Sequence, residues 1–186
     1  VGAEAGRGTA ADGADDAVAT PATGADDAAE DALAATFVVA APPAAGGVAG
    51  TGPRVRYTVE VAPTVGADPA AVAAQVRAAL HDPRSWARDR TLKQVGDPSR
   101  ARIRVVLADP GTVDVLCGRA GLDTAGIYSC WNGRFAALNA WRWEAGAEGF
   151  DDLATYRTYL VNHEFGHGLG RGHVSCPSTG AIAPVM

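Results

Sequence analysis

The chain has 186 residues, a formal net charge of −5 and 20% charged residues, which suits one folded domain with a tail. No basic run interleaved with aromatic residues occurs, so we expect no nucleic-acid partner. The longest apolar stretch, residues 32–45, is too short for a membrane span and follows no positively charged region. We therefore expect no membrane span within the chain, and the targeting segment or anchor of an exported protein would lie upstream of Val1.

The N-terminal segment has the composition of a tail. Residues 1–35 consist mainly of Ala, Gly, Asp and Thr, and the first aromatic residue is Phe37. Such a segment buries too little apolar surface to offset the entropy lost on ordering it. The sequence predicts a disordered stalk over 1–35, in which residues 26–35 form at most a transient helix. A folded domain is predicted over 36–186.

The first half of the predicted domain contains two strands and a helix. Residues 37–39 and 56–61 have the composition of strands, and the second alternates apolar with polar side chains. Asp68 is typical of a helix N-cap, and a helix is predicted over 67–81. His81 ends this helix, where a histidine suits the helix dipole better than a metal.

Shorter elements precede the last helix. A strand is predicted over 102–108, a helical turn over 112–117, and further strands over 126–130 and 134–139. The last helix is predicted to start near Asp151, since carboxylates favour a helix N-terminus.

The most specific pattern in the chain is H-E-x-x-H-x-x-G-x-x-H, which begins at His163. On a helix, His163 and His167 lie one turn apart on the same face and can bind one metal ion. Gly170 suits the left-handed turn that ends a helix, after which His173 can return as a third ligand. Glu164 adjoins the first ligand, where its carboxylate can serve as a general base.

This motif resembles the zinc site of the metzincin metalloproteases, in which a tight turn places a methionine beneath the metal. Met186, the only methionine in the chain, follows the motif and corresponds to that residue. The wider chain from about Thr36 also resembles an uncharacterised family of exported actinobacterial proteins with a metzincin-like site. The matching segments are Tyr57–Val61, Ser129–Cys130, Tyr156–Asn162, Cys176–Pro177 and Pro184–Met186.

The resemblance implies an α/β (α+β) fold with a twisted mixed sheet backed by two long helices. The second helix would carry the zinc ligands, and the irregular C-terminal part is expected to continue beyond Met186. The implied function is a zinc-dependent endopeptidase acting on a peptide or protein substrate. His163, His167 and His173 would bind Zn²⁺, and Glu164 would be the general base.

In metzincins, an edge strand over the cleft pairs antiparallel with the substrate. The matching strand here consists of Arg134, Phe135, Ala136, Ala137, Leu138 and Asn139. Its edge would bind a peptide backbone by strand addition. The alternative is an ordinary sheet strand whose edge is covered.

Two other functions could use the same residues. One is a non-catalytic, exported zinc-binding module at the cell surface, and the other is a zinc amidase acting on cell-wall peptides. Glu164 argues against the first, because a zinc site that only supports a fold needs no base. The sequence indicates no particular oligomeric state.

The three cysteines indicate an oxidising compartment. Cys117 and Cys130 are close enough in sequence for a loop disulfide, which favours an extracellular or cell-surface protein. Cys176 is then unpaired, and we expect its partner beyond Met186. The alternatives are three reduced cysteines, or Cys176 as a metal ligand. His173 already completes the usual ligand set, which argues against the latter.

Overall fold

A computed structural model of the chain describes residues 24–186. Within this range, five α-helices and a seven-stranded mixed sheet form the α/β fold that the sequence predicts. The part of the predicted stalk before residue 24 lies outside the described residues. No helix within 24–186 has the length and apolar character needed to cross a bilayer.

The first helix, α1 (Gly24–Ala34), is more than a transient structure. Ala34 is buried, and Leu33 packs against the same apolar cluster. Arg134 donates a hydrogen bond to Asp31 at 2.6 Å across a sequence separation of 103 residues. The prediction of disorder is therefore wrong for residues 24–34, because distant parts of the chain hold this helix in place.

The other helices and strands follow in chain order. They are β1 (Val38–Val39), β2 (Val48–Ala49), β3 (Arg54–Val61), α2 (Pro69–His81), β4 (Thr91–Gln94), β5 (Ile103–Ala108), α3 (Pro110–Gly118), β6 (Cys130–Trp131), β7 (Phe135–Asn139), α4 (Ala140–Ala145) and α5 (Leu153–Gly168). Asp68 caps α2 as predicted, since its carboxylate accepts a hydrogen bond from the Ala70 N–H at 3.0 Å. The sequence does not predict β2 and β4, which are short and depend on pairing with distant strands.

The predicted strand over 126–130 is wrong for most of its length. Residues 125–127 form a turn, and only Cys130 of this range belongs to a strand. The Gly126 N–H donates to the Asp114 carboxylate at 2.9 Å, and the Gly126 carbonyl accepts from Asn139 at 3.1 Å. These side chains satisfy backbone groups that a strand would otherwise pair.

The strands lie in the order β2-β4-β3-β5-β7-β6, and β1 pairs with the end of β3. The four central strands β4, β3, β5 and β7 are mutually parallel, whereas β2 and β6 are antiparallel strands at the two edges. Every residue of β5 and β7 is buried, so both faces of these two strands are covered, as is usual for parallel strands.

Side chains alternate between the two faces of the sheet. Val105 and Leu107 belong to the larger apolar cluster, which includes residues of α2 and α5. Val106 and Phe135 belong to a second cluster, formed with α3 and the end of α1. The long helix α5 is consequently fixed on one face, with α2 beside it.

Candidate metal centre

Helix α5 begins at a well-formed cap and is anchored by buried side chains. The Asp152 carboxylate accepts a hydrogen bond from the Thr155 N–H at 2.8 Å. Leu160 and Phe165 are buried, and the Phe165 ring makes an edge contact with Tyr57 on β3 at 5.7 Å. This packing leaves His163 and His167, one turn apart, on a partly exposed face of the helix.

The three motif histidines converge on one point. The Nε2 atom of His163 lies 3.3 Å from Nε2 of His167 and 3.2 Å from Nε2 of His173. One ring nitrogen from each residue lies within 4.8 Å of the other two. Three nitrogens in this arrangement could hold a divalent cation.

Backbone carbonyls determine which ring nitrogen of two histidines is free. Nδ1 of His163 is 2.6 Å from the Val185 carbonyl oxygen, and Nδ1 of His167 is 2.9 Å from that of Arg171. A carbonyl only accepts, so both Nδ1 atoms carry the proton and both Nε2 atoms present a lone pair to the cluster. Burial also lowers the pKa of His163 and His167, which favours the neutral form that binds metals.

Glu164 follows His163 in α5, and its side chain is buried. The residue is only 5% exposed, and burial raises the pKa of its carboxyl to about 8. Burial also raises the pKa of Tyr159, with a smaller contribution from the Glu164 charge. The Tyr159 ring packs against His163 at 5.3 Å.

The chain after α5 folds back beneath the histidines. Gly170 has a φ of 81°, and its N–H donates to the His167 carbonyl at 2.8 Å where the helix ends. Met186 then approaches the helix at Gly166, where an added Cβ would lie 2.3 Å from the Met186 sulfur. The structure thus brings Met186 into contact with the helix segment between the two histidines.

Sequence reasoning missed the residues that hold α5 from the other side. Trp86 Nε1 donates to the Asn162 carbonyl at 2.9 Å, across a separation of 76 residues. Ser85 donates to the Asn162 side-chain oxygen, and Asn162 Nδ2 donates to the Thr158 carbonyl at 2.9 Å. Trp86 begins a short 3₁₀ helix (Trp86–Arg88) that has no apolar periodicity, so no local pattern indicates this contact.

The predicted substrate strand, Arg134 to Asn139, is present but does not form an edge. Phe135 to Asn139 form β7, which pairs with β5 along its length. On its other side, β6 pairs with Ala136 and Ala137. Cys130 and Trp131 therefore cover the edge at Ala136 and Ala137. For the segment Arg134, Phe135, Ala136, Ala137, Leu138 and Asn139, this pairing favours the alternative of an ordinary sheet strand whose edge is covered.

The cysteines of the described residues form one disulfide. Cys117 at the end of α3 is bonded to Cys130 in β6, as predicted. Cys176 is exposed, has no disulfide partner within residues 24–186, and does not belong to the histidine cluster. The disulfide therefore joins the edge strand to a helix on the sheet face opposite α5.

Fold and site together define an α/β protein with a three-histidine cluster beside a buried carboxyl group. Residues 8–186 match the model of a family described as "Protein of unknown function (DUF3152)", and the chain belongs to this family. No curated protein and no solved structure matches the chain. The chemistry of the site must therefore be argued from its own residues.

Proposed function

We propose that this protein is a zinc-dependent endopeptidase with a metzincin-like site. The observation that carries the proposal is the convergence of three histidine Nε2 atoms beside buried Glu164. The eleven-residue pattern from His163 to His173, and Met186 against the helix below it, resemble the metzincin arrangement.

Two of the three separations between the histidine nitrogens suit zinc. Tetrahedral zinc with Zn–N bonds of about 2.0–2.1 Å requires nitrogens roughly 3.3–3.4 Å apart. The two separations that include His163 are 3.2 and 3.3 Å, and the nitrogens of His167 and His173 lie within 4.8 Å of each other. Three imidazoles with no carboxylate among them also favour zinc over magnesium or calcium, which prefer oxygen ligands. Three protein ligands leave a fourth position for water or substrate.

The residues of the chain have distinct tasks in peptide hydrolysis. Zinc, when bound, lowers the pKa of a water molecule and polarises a carbonyl group. A nearby cation favours the ionised form of Glu164, which burial alone would keep protonated near neutral pH. Its carboxylate takes the proton of the attacking water and delivers it to the leaving nitrogen. The Val185 and Arg171 carbonyls keep His163 and His167 in the required tautomer.

We also propose that the protein acts outside the cytoplasm. The disulfide between Cys117 and Cys130 supports this location, because disulfides persist in oxidising compartments. A peptide or protein substrate at the cell surface would be consistent with both parts of the proposal.

Glu164→Gln is the decisive variant. It should bind zinc as the parent does, while hydrolysis of a peptide library, followed by mass spectrometry, falls by about 10²–10⁴-fold. Asp27→Asn removes an exposed carboxylate in α1 and should leave hydrolysis unchanged. Equal hydrolysis by Glu164→Gln and the parent would refute the role of Glu164.

A panel of substrates distinguishes the proposed endopeptidase from a cell-wall amidase and from a non-catalytic zinc-binding module. It should contain linear peptides and cell-wall stem peptides, each with and without a chelator. Cleavage of the stem peptides alone would identify an amidase. A zinc-loaded parent that cleaves neither class would be a non-catalytic zinc-binding module, contrary to the proposal.

A further inference from the structure

A row of aromatic rings leads away from the histidine cluster along α5. The Tyr159 ring packs against His163 at 5.3 Å and against Phe150 at 5.1 Å. Phe150 in turn makes an edge contact with Tyr156 at 5.2 Å. The Phe150 ring is therefore two ring contacts from His163, within roughly 10 Å.

The far end of this row forms the wall of a cavity. The cavity has a volume of about 200 Å³, and its apolar wall includes Ala147, Phe150, Leu153 and Tyr156. Tyr156 is buried, whereas Leu153 is 38% exposed, so the cavity is open to solvent on the side of Leu153. Ligands usually bind in recesses of this kind, which are mostly apolar and carry a few polar groups.

The charge at the mouth of the cavity is negative. Asp151 and Asp152 line it, and both are exposed. Hydrogen bonds from Thr155 lower the pKa of Asp152 and so keep this carboxylate ionised. The nearby cation, Arg142, already donates to the Gly146 carbonyl at 3.2 Å and stacks on Trp141 at 4.7 Å.

We propose that this cavity is a subsite for a cationic side chain, arginine or lysine, of a peptide substrate bound at the histidine cluster. Such a side chain has an apolar stem for the wall and a positive end for the two carboxylates. Arginine also stacks well on aromatic rings, and Phe150 and Tyr156 offer two. The acidic residues alone would define no site, and the subsite depends on the apolar wall and on the ring contacts that connect Phe150 to His163 through Tyr159. This inference rests on the proposed peptidase function.

The distance between the cavity and His163 determines which residue of the substrate the cavity would bind. An extended peptide advances about 3.3–3.6 Å per residue, so roughly 10 Å corresponds to two or three residues. The basic side chain should therefore lie within three residues of the cleaved bond.

A binding experiment tests the subsite without any need for catalysis. The zinc-loaded full chain is titrated with N-acetylarginine amide or with N-acetylcitrulline amide, its neutral isostere, and backbone amide shifts are followed by NMR. The arginine compound should shift Phe150, Leu153 and Tyr156, with affinity roughly three- to tenfold above that of the citrulline compound. Asp151→Asn should reduce this preference, whereas Asp27→Asn, which removes an exposed carboxylate in α1, should retain it. Equal binding of the two compounds, or no shifts at these residues, would overturn the subsite.

A hydrolysis experiment tests whether the subsite serves the histidine cluster. Arginine, citrulline or glutamate is placed in turn at the three positions on each side of the cleaved bond in one peptide. At one position, kcat/KM should be highest for arginine, lower for citrulline and lowest for glutamate. Asp151→Asn should reduce the difference in kcat/KM between the arginine and citrulline peptides. Hydrolysis with no preference at any position would show that the cavity does not bind the side chain of a substrate cleaved at the histidine cluster. The proposed peptidase function would stand. If no peptide is cleaved, the proposed function fails, and the binding experiment alone decides the subsite.

Discussion

The two faces of the sheet are stabilised in different ways. The face that packs against α2 and α5 has an apolar interior, and the histidine cluster lies at its surface. The opposite face buries an ion pair, in which Arg104 donates to both carboxylate oxygens of Glu60 at 2.8 and 2.5 Å. Thr58 adds a third hydrogen bond to the same carboxylate. The face under α5 is therefore packed by apolar side chains, whereas the opposite face combines an apolar cluster with a buried ion pair.

This difference implies that the two faces can be altered separately. A change at the Glu60–Arg104 pair should affect the stability of the whole domain but not the geometry of the histidines. A change in the helix backbone of α5 should affect both metal binding and stability. Mutations on each face, measured for both properties, test this separation.

The largest effect on stability is expected from Arg104→Met. Glu60 would remain buried without its counter-charge, so the free energy of unfolding of the zinc-free protein should fall by about 3–5 kcal/mol. Urea denaturation measures this loss, and a zinc titration of the folded variant should give the parental affinity.

The double variant Glu60→Leu with Arg104→Met provides the control. Replacing a buried ion pair by apolar residues is often nearly neutral, so most of the lost stability should return. A loss of less than 1 kcal/mol in Arg104→Met, or a large fall in its zinc affinity, would show that the faces are not separable as described.

An intermediate effect is expected from Gly166→Ala in α5. The added Cβ would lie 2.3 Å from the Met186 sulfur and 2.7 Å from a ring carbon of Trp86. Relief of this overlap must move the helix or its neighbours, so we expect a loss of about 1–3 kcal/mol in stability. Because His163 and His167 flank this residue, zinc affinity should fall as well.

Gly172→Ala is the matched control for this variant. Gly172 lies in the same motif, but a Cβ there would meet no atom within 4 Å. Thermal denaturation and zinc titration should leave Gly172→Ala close to the parent. Parental values for Gly166→Ala would mean that Met186 does not pack closely against the helix.

The candidate site could be predicted to the extent that its residues are close in sequence. His163, His167 and His173 come from one short motif, so helix geometry alone brings the first two together. The support from Trp86 depends on a contact across 76 residues, which no local pattern encodes.

The difference between local patterns and long-range contacts also explains the errors in the predicted fold. The composition of residues 134–139 indicates a strand, and β7 is present, but its neighbours in the sheet are set by tertiary pairing. The short strand β6 lacks the length that would predict it and nevertheless covers the edge. Helix α1 was expected to be disordered because its partner, Arg134, lies about a hundred residues away in the chain.

The smallest effect is expected from Arg134→Gln, which removes the ionic attachment of α1. Arg134 pairs with Asp31 at 2.6 Å and with Glu30 at 3.3 Å, and these groups are partly exposed to solvent. Hydrogen exchange of the α1 amides should therefore accelerate only about two- to fivefold at neutral pH, and salt should diminish the difference. Arg102→Gln, which changes an exposed arginine outside this contact, should leave the exchange unchanged.

The pH dependence of the same exchange sharpens this test. The hydrogen bond from Arg134 lowers the pKa of Asp31 below its ordinary value of 3.8. The folded state thus favours the ionised carboxylate, so the contact stabilises α1 fully above pH 3.8 and is lost as the pH falls through the lowered pKa. In the parent, protection of α1 relative to β5 should decrease over this acidic range, while Arg134→Gln should change less because it has already lost the pair. The same acid dependence in both proteins would mean that apolar packing of Leu33 and Ala34, and not Arg134, holds the helix on the sheet.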